Sequence, residues 1–117
     1  ENVEQVSSSS GEVTVDLAKG QTFNLNLTEN VGTFVVNNAP SDSTTFTIKI
    51  TQPSGSTYSV GIDTFRNNTT GLAATCFWPG GVIPTVTQTA GRTDIYSFKS
   101  FDSCASFFGV VGGQGFA

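Results

Sequence analysis

The sequence contains no histidine and no methionine, one tryptophan, two cysteines and only five lysine or arginine residues. The missing histidine removes the commonest general base and the commonest metal ligand. Five cations against nine acidic residues give a net charge of -4, without the basic cluster that a nucleic-acid surface requires, so no nucleic-acid partner is expected. No apolar run approaches the roughly 20 residues of a membrane-spanning helix, and membrane insertion is not expected. The first eleven residues are polar, have no basic stretch and do not read as a signal peptide. Charged residues are 12 % of the chain, about half the roughly 25 % of an ordinary soluble domain.

Neutral hydrogen-bonding side chains take the place of charge. Threonine (17), serine (13) and asparagine (8) outnumber all charged residues, and ten phenylalanines supply the apolar bulk. A chain of 117 residues builds one core, so a single domain is expected over residues 12–117, preceded by a flexible arm or linker over 1–11 in which Ser7-Ser8-Ser9-Ser10-Gly11 has linker composition.

From Glu12 onward the apolar period is two. Val13, Val15 and Leu17 alternate with Glu12, Thr14 and Asp16; Phe23, Leu25 and Leu27 alternate with Thr22, Asn24 and Asn26. The two runs are candidates for a hairpin about Ala18-Lys19-Gly20. Phe34 and Val36 mark a third strand, stopped by Asn37-Asn38-Ala39-Pro40-Ser41. Phe46, Ile48 and Ile50 give the cleanest alternation, and Tyr58, Val60 and Ile62 read as a further strand. Ala74 to Trp78, an edge segment from Val82 to Thr89 containing Pro84, Asp94 to Phe101 and Ser106 to Val111 complete the set. No helical period occurs. The pattern predicts an all-β, antiparallel β-sandwich or jelly-roll-like domain of about eight or nine short strands.

The residue types argue against an enzyme. Asp16, Asp63, Asp94 and Asp102 stand in or beside strands, where a catalytic pair is conceivable, although an aspartate at a strand end more often caps a turn. No serine sits in a nucleophile elbow, neither cysteine has a histidine partner, and no helix follows Gly80-Gly81 or Gly112-Gly113 to make a phosphate cradle. Asp102-Ser103 offers too few oxygens for calcium. No cofactor and no metal are expected. Cys76 and Cys104 are open to two readings: a disulfide, which the loop-entropy model values at roughly 3–4 kcal/mol, or two buried free thiols. Three N-x-S/T sequons, at Asn26, Asn67 and Asn68, matter only in a eukaryotic secretory pathway.

Phe23, Phe34, Phe46, Tyr96 and Phe98 fall on apolar faces and read as core. Phe107 and Phe108 are adjacent, so in a strand one ring faces inward and the other meets a different surface. Trp78, before Pro79-Gly80-Gly81, fills a corner of the core or lines a sugar platform. The polar stretch Arg66, Asn67, Asn68, Thr69 and the turn Asp102-Ser103 are the candidate receptor or partner loops. Phe107, Phe108 and Phe116 are the candidate interchain aromatics.

The order Trp78-Pro79-Gly80-Gly81, Pro84-Thr85-Val86-Thr87, Asp94-Ile95-Tyr96-Ser97-Phe98, Phe101-Asp102 and Phe108-Gly109-Val110-Val111-Gly112-Gly113-Gln114-Gly115-Phe116 resembles a β-rich C-terminal module of tail-fibre and virion-surface proteins of tailed bacteriophages, marine phages and cyanophages among them. Val15-Asp16-Leu17, Gly20, Phe23 and Thr45 to Gln52 extend the likeness upstream. The resembling residues are structural and mark no site. Relatives of that module carry a small residue where Cys104 stands, and they belong to longer polypeptides. The resemblance implies a homo-oligomer, trimeric by preference, on the extracellular surface of a virion: a tail fibre or tip, or a capsid decoration, in contact with other virion proteins and with a host surface glycan or protein. Two alternatives carry other predictions. One is a subunit of a cellular surface filament assembled through its N-terminal arm, the other a carbohydrate-binding module that uses Trp78.

Overall fold

The computed structural model describes residues 2–117. Period-two alternation places each apolar set on one face, and the described residues form ten strands with one 3₁₀ turn at Pro79–Gly81: β1 Val3–Val6, β2 Ser8–Ser9, β3 Glu12–Asp16, β4 Thr22–Asn26, β5 Thr33–Asn37, β6 Thr44–Thr51, β7 Phe65–Asn67, β8 Leu72–Phe77, β9 Thr93–Ser100 and β10 Ser106–Phe116. The protein is all-β, as the periodicity predicts.

The strands join in one mixed sheet, ordered β1-β4-β6-β9-β10-β8-β7-β5-β3-β2. It curls until β1 approaches β3, nearly closing a barrel. The expectation of antiparallel pairing is corrected here. β1 and β4, β4 and β6, β3 and β5, β5 and β7, and β8 and β10 all run parallel. Antiparallel ladders join β2 to β3, β6 to β9, β9 to β10 and β7 to β8. The predicted hairpin between the runs at 12–17 and 22–27 does not form. β3 pairs with β5 and β4 with β6, because the chain crosses between the two halves of the sheet at each connection from β3 to β7. Alternation determines which face a residue takes and says nothing of its partner strand, whereas parallel neighbours need a crossover.

Two predicted strands are absent from the ladders. Tyr58 to Ile62 contributes a single bridge, Val60 to Val31, although Ile62 is buried. The segment 82–89 is held by side chains instead: the Thr87 carbonyl accepts from Gln52 Nε2 at 3.0 Å, and the Thr87 N–H donates to Asp94 at 2.8 Å. The N-terminal arm, expected to be flexible, supplies β1 and β2. Ser10 (φ 52°) and Gly11 (φ 78°) turn the chain between β2 and β3, the paired left-handed conformation that matches hairpin twist.

The core fills the barrel. Phe46 is its centre, with ring centroids 6.3 Å from Phe23, 6.3 Å from Phe65, 5.2 Å from Phe98 and 5.6 Å from Phe107. Phe23, Phe34, Phe46, Tyr96 and Phe98 are buried as predicted. Trp78 closes one corner, 7 % exposed, edge-on to Phe98 at 5.7 Å and Tyr96 at 6.4 Å. Its ring lies against the backbone of Gly109, where an added Cβ would meet Trp78 Cη2 and Cζ3 at 2.7 Å. Overpacking of this kind costs roughly 1–3 kcal/mol. Gly109→Ala is therefore expected to lower the thermal midpoint, and an unchanged midpoint would contradict the packing of Trp78 on Gly109.

Candidate functional site

The two candidate loops come together, but their residues divide. Arg66 and Asn67 belong to β7 rather than to a loop. Arg66 pairs with Glu12 at 3.2 Å on the surface, an exposed ion pair that contributes little. Asn67 is buried; its Nδ2 donates to the carbonyls of Ser103 (3.1 Å) and Cys104 (3.5 Å), and its Oδ1 accepts from the Thr69 N–H. It staples one loop to the other and is corrected from contact residue to internal tie. Asn68 and Thr69 are exposed. The Asp102 carboxylate caps its own turn, accepting from Ser106 N–H (3.0 Å), Ser106 Oγ (2.7 Å) and Ser100 Oγ (3.1 Å). The Ser106 hydroxyl and amide hold its pKa below the ordinary carboxylate range. Ser103, at φ 58°, donates its N–H to Asp42 O and its hydroxyl to Ser41 O. A shallow hollow of about 180 Å³ separates the loops, lined by Asn67, Thr70, Leu72, Asp102, Ser103 and neighbours.

Asp16 and Asp94 are likewise occupied by backbone and side-chain donors, whereas Asp63 lies near Cys76. Asp16 Oδ1 accepts from Asn38 Nδ2 (2.7 Å) and the Ala18 N–H (3.0 Å). Asp94 is 1 % exposed and accepts from Thr87 N–H (2.8 Å), Thr87 Oγ1 (2.7 Å), Tyr96 OH (2.7 Å), Gly115 N–H (2.8 Å) and Gln114 Nε2 (3.4 Å). Burial alone raises its pKa, but the Thr87 donors, with Gly115 and Tyr96, outweigh that effect and hold the carboxyl below its usual range. Burial pushes the Tyr96 hydroxyl up, and its bond to Asp94 adds to the rise. The ionised Asp94 thereby ties the unladdered segment 82–89 and the end of β10 onto β9. Among the described residues, no group of three or more His, Cys, Asp or Glu comes together in a metal-holding arrangement.

Of the two cysteine readings, the structure carries free thiols. Cys76 lies in β8 opposite Phe107. Cys104 is buried in the turn before β10 at φ 63°, its N–H donating to Ser100 Oγ at 2.9 Å. Burial and the nearby Asp63 charge push the Cys76 thiol up to about 12, and burial raises Cys104 as well. Neither is a thiolate at neutral pH, the form a nucleophile requires.

The most conspicuous surface is aromatic. Register decides the Phe107/Phe108 alternative: Phe107 stands opposite Cys76 and points inward, and Phe108 stands opposite Phe77 and points outward. Phe107 is fully buried and packs on Phe46 and Phe65, so it is corrected from interchain candidate to core. Phe108, 49 % exposed, stacks on Phe77, 49 % exposed, at 5.4 Å, and meets Phe101, 66 % exposed, edge-on at 5.8 Å. Lys99 lays its ammonium over the Phe101 ring at 5.4 Å. Phe77, Pro79, Phe108 and Val110 line an apolar groove of about 360 Å³ floored by Trp78 and Gly109. Trp78 is covered and presents no sugar platform. Phe116, half exposed, folds over Gly113 at the far end of β10 beside Lys49, Thr93 and Ile95.

Phe77 and Phe101 were not among the residues expected at a contact. The signal for Phe77 is strand parity, since it alternates with inward Ala74 and Cys76. Phe101 lies just past the end of β9 and has no such signal. No protein-family model, no curated protein and no solved structure matches the chain.

Proposed function

We propose that the chain is a non-catalytic structural module on the surface of a tailed-phage particle, in a tail fibre or as a decoration of the head, and that identical copies meet along the ridge of Phe77, Phe108 and Phe101. The observation that carries this reading is the ridge itself. Three neighbouring phenyl rings, each about half exposed or more, offer on the order of 300 Å² of apolar area at roughly 150–250 Å² per ring. Val110, also half exposed, adds to it. That is the scale of the largest apolar patch of a typical monomer, which is often functional, and it supplies the apolar centre of an interface of roughly 800 Å² per partner. Lys99 lies over the Phe101 ring, while Phe77, Pro79, Phe108 and Val110 that line the groove carry no charge, so little ionic desolvation opposes contact there.

A second copy is the occupant favoured here. Some of the structural residues that carry the resemblance frame this place: Trp78 on Gly109 beneath, Phe101 and Phe108 above. A trimer is the arrangement that the resemblance implies. Asn68, Thr69 and Asp102, exposed on two loops braced by Asn67, form the contact offered to a host glycan or protein. The assignment is tested by negative-stain imaging of phage particles labelled with an antibody to this chain. Label on fibres or on the head is expected, and particles that carry no label contradict the assignment.

A further inference from the structure

We infer that β1 is an exchangeable strand: in the assembled protein, Val3–Val6 of one copy pairs with β4 of a neighbouring copy. The inference rests on the reading that copies of this chain associate, since exchange needs a neighbour, but its observations lie at the β1 edge of the sheet, away from the ridge on the central strands β8 and β10.

Little holds β1 to its own sheet. It has four residues and one ladder, the parallel pairing of Val3 to Val6 with Thr22 to Leu25. Its other side faces a hollow of about 230 Å³ between β1 and β3, lined by Glu4, Val6, Thr14, Asp16 and Phe23 among others. Val3 is 59 % exposed and only Val6 packs, partly buried, against the core. The side-chain bond from Asn24 Nδ2 in β4 to Gln5 Oε1, 2.8 Å, is exposed.

What β1 covers cannot stay uncovered. Without it, β4 becomes an open edge of five residues, and such an edge is a template for another strand. The β1 of any copy satisfies it equally well.

The hinge is short and its far side is fixed. Ser7 alone separates β1 from β2. Beyond it, Gly11 is anchored at both polar groups: its N–H donates to Glu29 Oε2 at 3.0 Å, and its carbonyl accepts from the Gly32 N–H at 2.8 Å. β1 therefore swings about Ser7 while the β2–β3 hairpin stays in place. A one-residue hinge joining two elements that lie in different halves of the sheet leaves little slack for closure, and short hinge loops invite exchange.

The test uses the full chain with cysteines at the paired positions Gln5 and Asn24. The native thiols are poor competitors, being core-facing and protonated near neutral pH. Chains carrying Gln5→Cys and chains carrying Asn24→Cys are unfolded together, refolded and oxidised; a third chain carries both substitutions. Exchange predicts that the mixture gives a covalent dimer of doubled mass on a non-reducing gel, one chain of each kind in every dimer. An oligomer by sedimentation whose mixture gives no covalent dimer, while the doubly substituted chain closes within itself, overturns exchange and leaves the association reading standing. A monomer at all concentrations overturns both. A doubly substituted chain that closes neither within itself nor to a neighbour contradicts the β1–β4 register, and exchange with it.

Discussion

Asp94→Ala is expected to cost about 3 kcal/mol of unfolding free energy, on the scale of removing one partner from a buried charged network. For a chain of this size that lowers the thermal midpoint by on the order of 10 °C. The reason is what remains. Thr87 N–H and Oγ1, Tyr96 OH and Gly115 N–H all point at the vacated carboxylate. The segment 82–89, which has no ladder of its own, and the end of β10 lose their common anchor. Asp94→Asn separates charge from shape, because its amide nitrogen turns donors toward donors. The pH dependence has a definite sign. The folded pKa of Asp94 lies below its ordinary value, roughly 3.9 in an unfolded chain. The ionised form therefore contributes its full stability above the unfolded value, and that contribution is lost as pH falls through the folded one. Chemical denaturation across the acid range is expected to show a steeper loss of stability for the wild type than for Asp94→Asn. Equal slopes would place Asp94 outside the stabilising network.

The second large effect is Phe46→Ala, expected to cost roughly 3–5 kcal/mol, as for other buried phenylalanines cut to alanine. Phe46 touches Phe23, Phe65, Phe98 and Phe107, rings drawn from β4, β7, β9 and β10, so the cavity would open where both halves of the barrel meet. Urea denaturation should show a lower midpoint with an unchanged slope. Phe108→Ser is the contrasting case. Its ring is half exposed, so the loss expected is within about 1 kcal/mol, the scale of one aromatic pair. A large loss at Phe108 together with a small one at Phe46 would reverse the assignment of inside and outside.

Which residues face inward was legible in the sequence, and which strands lie side by side was not. Val13, Val15, Phe23, Leu25, Phe46, Ile48 and Phe98 are buried where a period of two places them. That period is a property of one strand, while pairing is a property of connections, and the chain winds from β3 to β7 so that neighbours run parallel. Tyr58 to Ile62 shows the same limit. Its apolar residues sit on the right side, yet it forms one bridge. Pro84 marked the 82–89 segment as unsuited to a central ladder, but nothing local showed that the Asp94 carboxylate just beyond it, or the Gln52 amide far upstream, would hold it. At the ridge, the adjacent phenylalanines 107 and 108 announced that one ring must face out. Phe77 joins it only through the parallel β8–β10 register, which no local pattern reveals. Asn67 looked like an exposed loop residue because its neighbours are polar; its role as a tie depends on the turn at 102–105 lying beside it.

The work proposed for this protein is cohesion between copies through an outward aromatic ridge. Sedimentation of the wild type over a range of concentrations, beside the same chain carrying Phe108→Ser, tests it most directly. An oligomer is expected for the wild type, a trimer by preference, and a shift to monomer for Phe108→Ser with near-wild-type unfolding. A wild type that stays monomeric at every concentration, or a Phe108→Ser chain that assembles as well as the wild type, would contradict it.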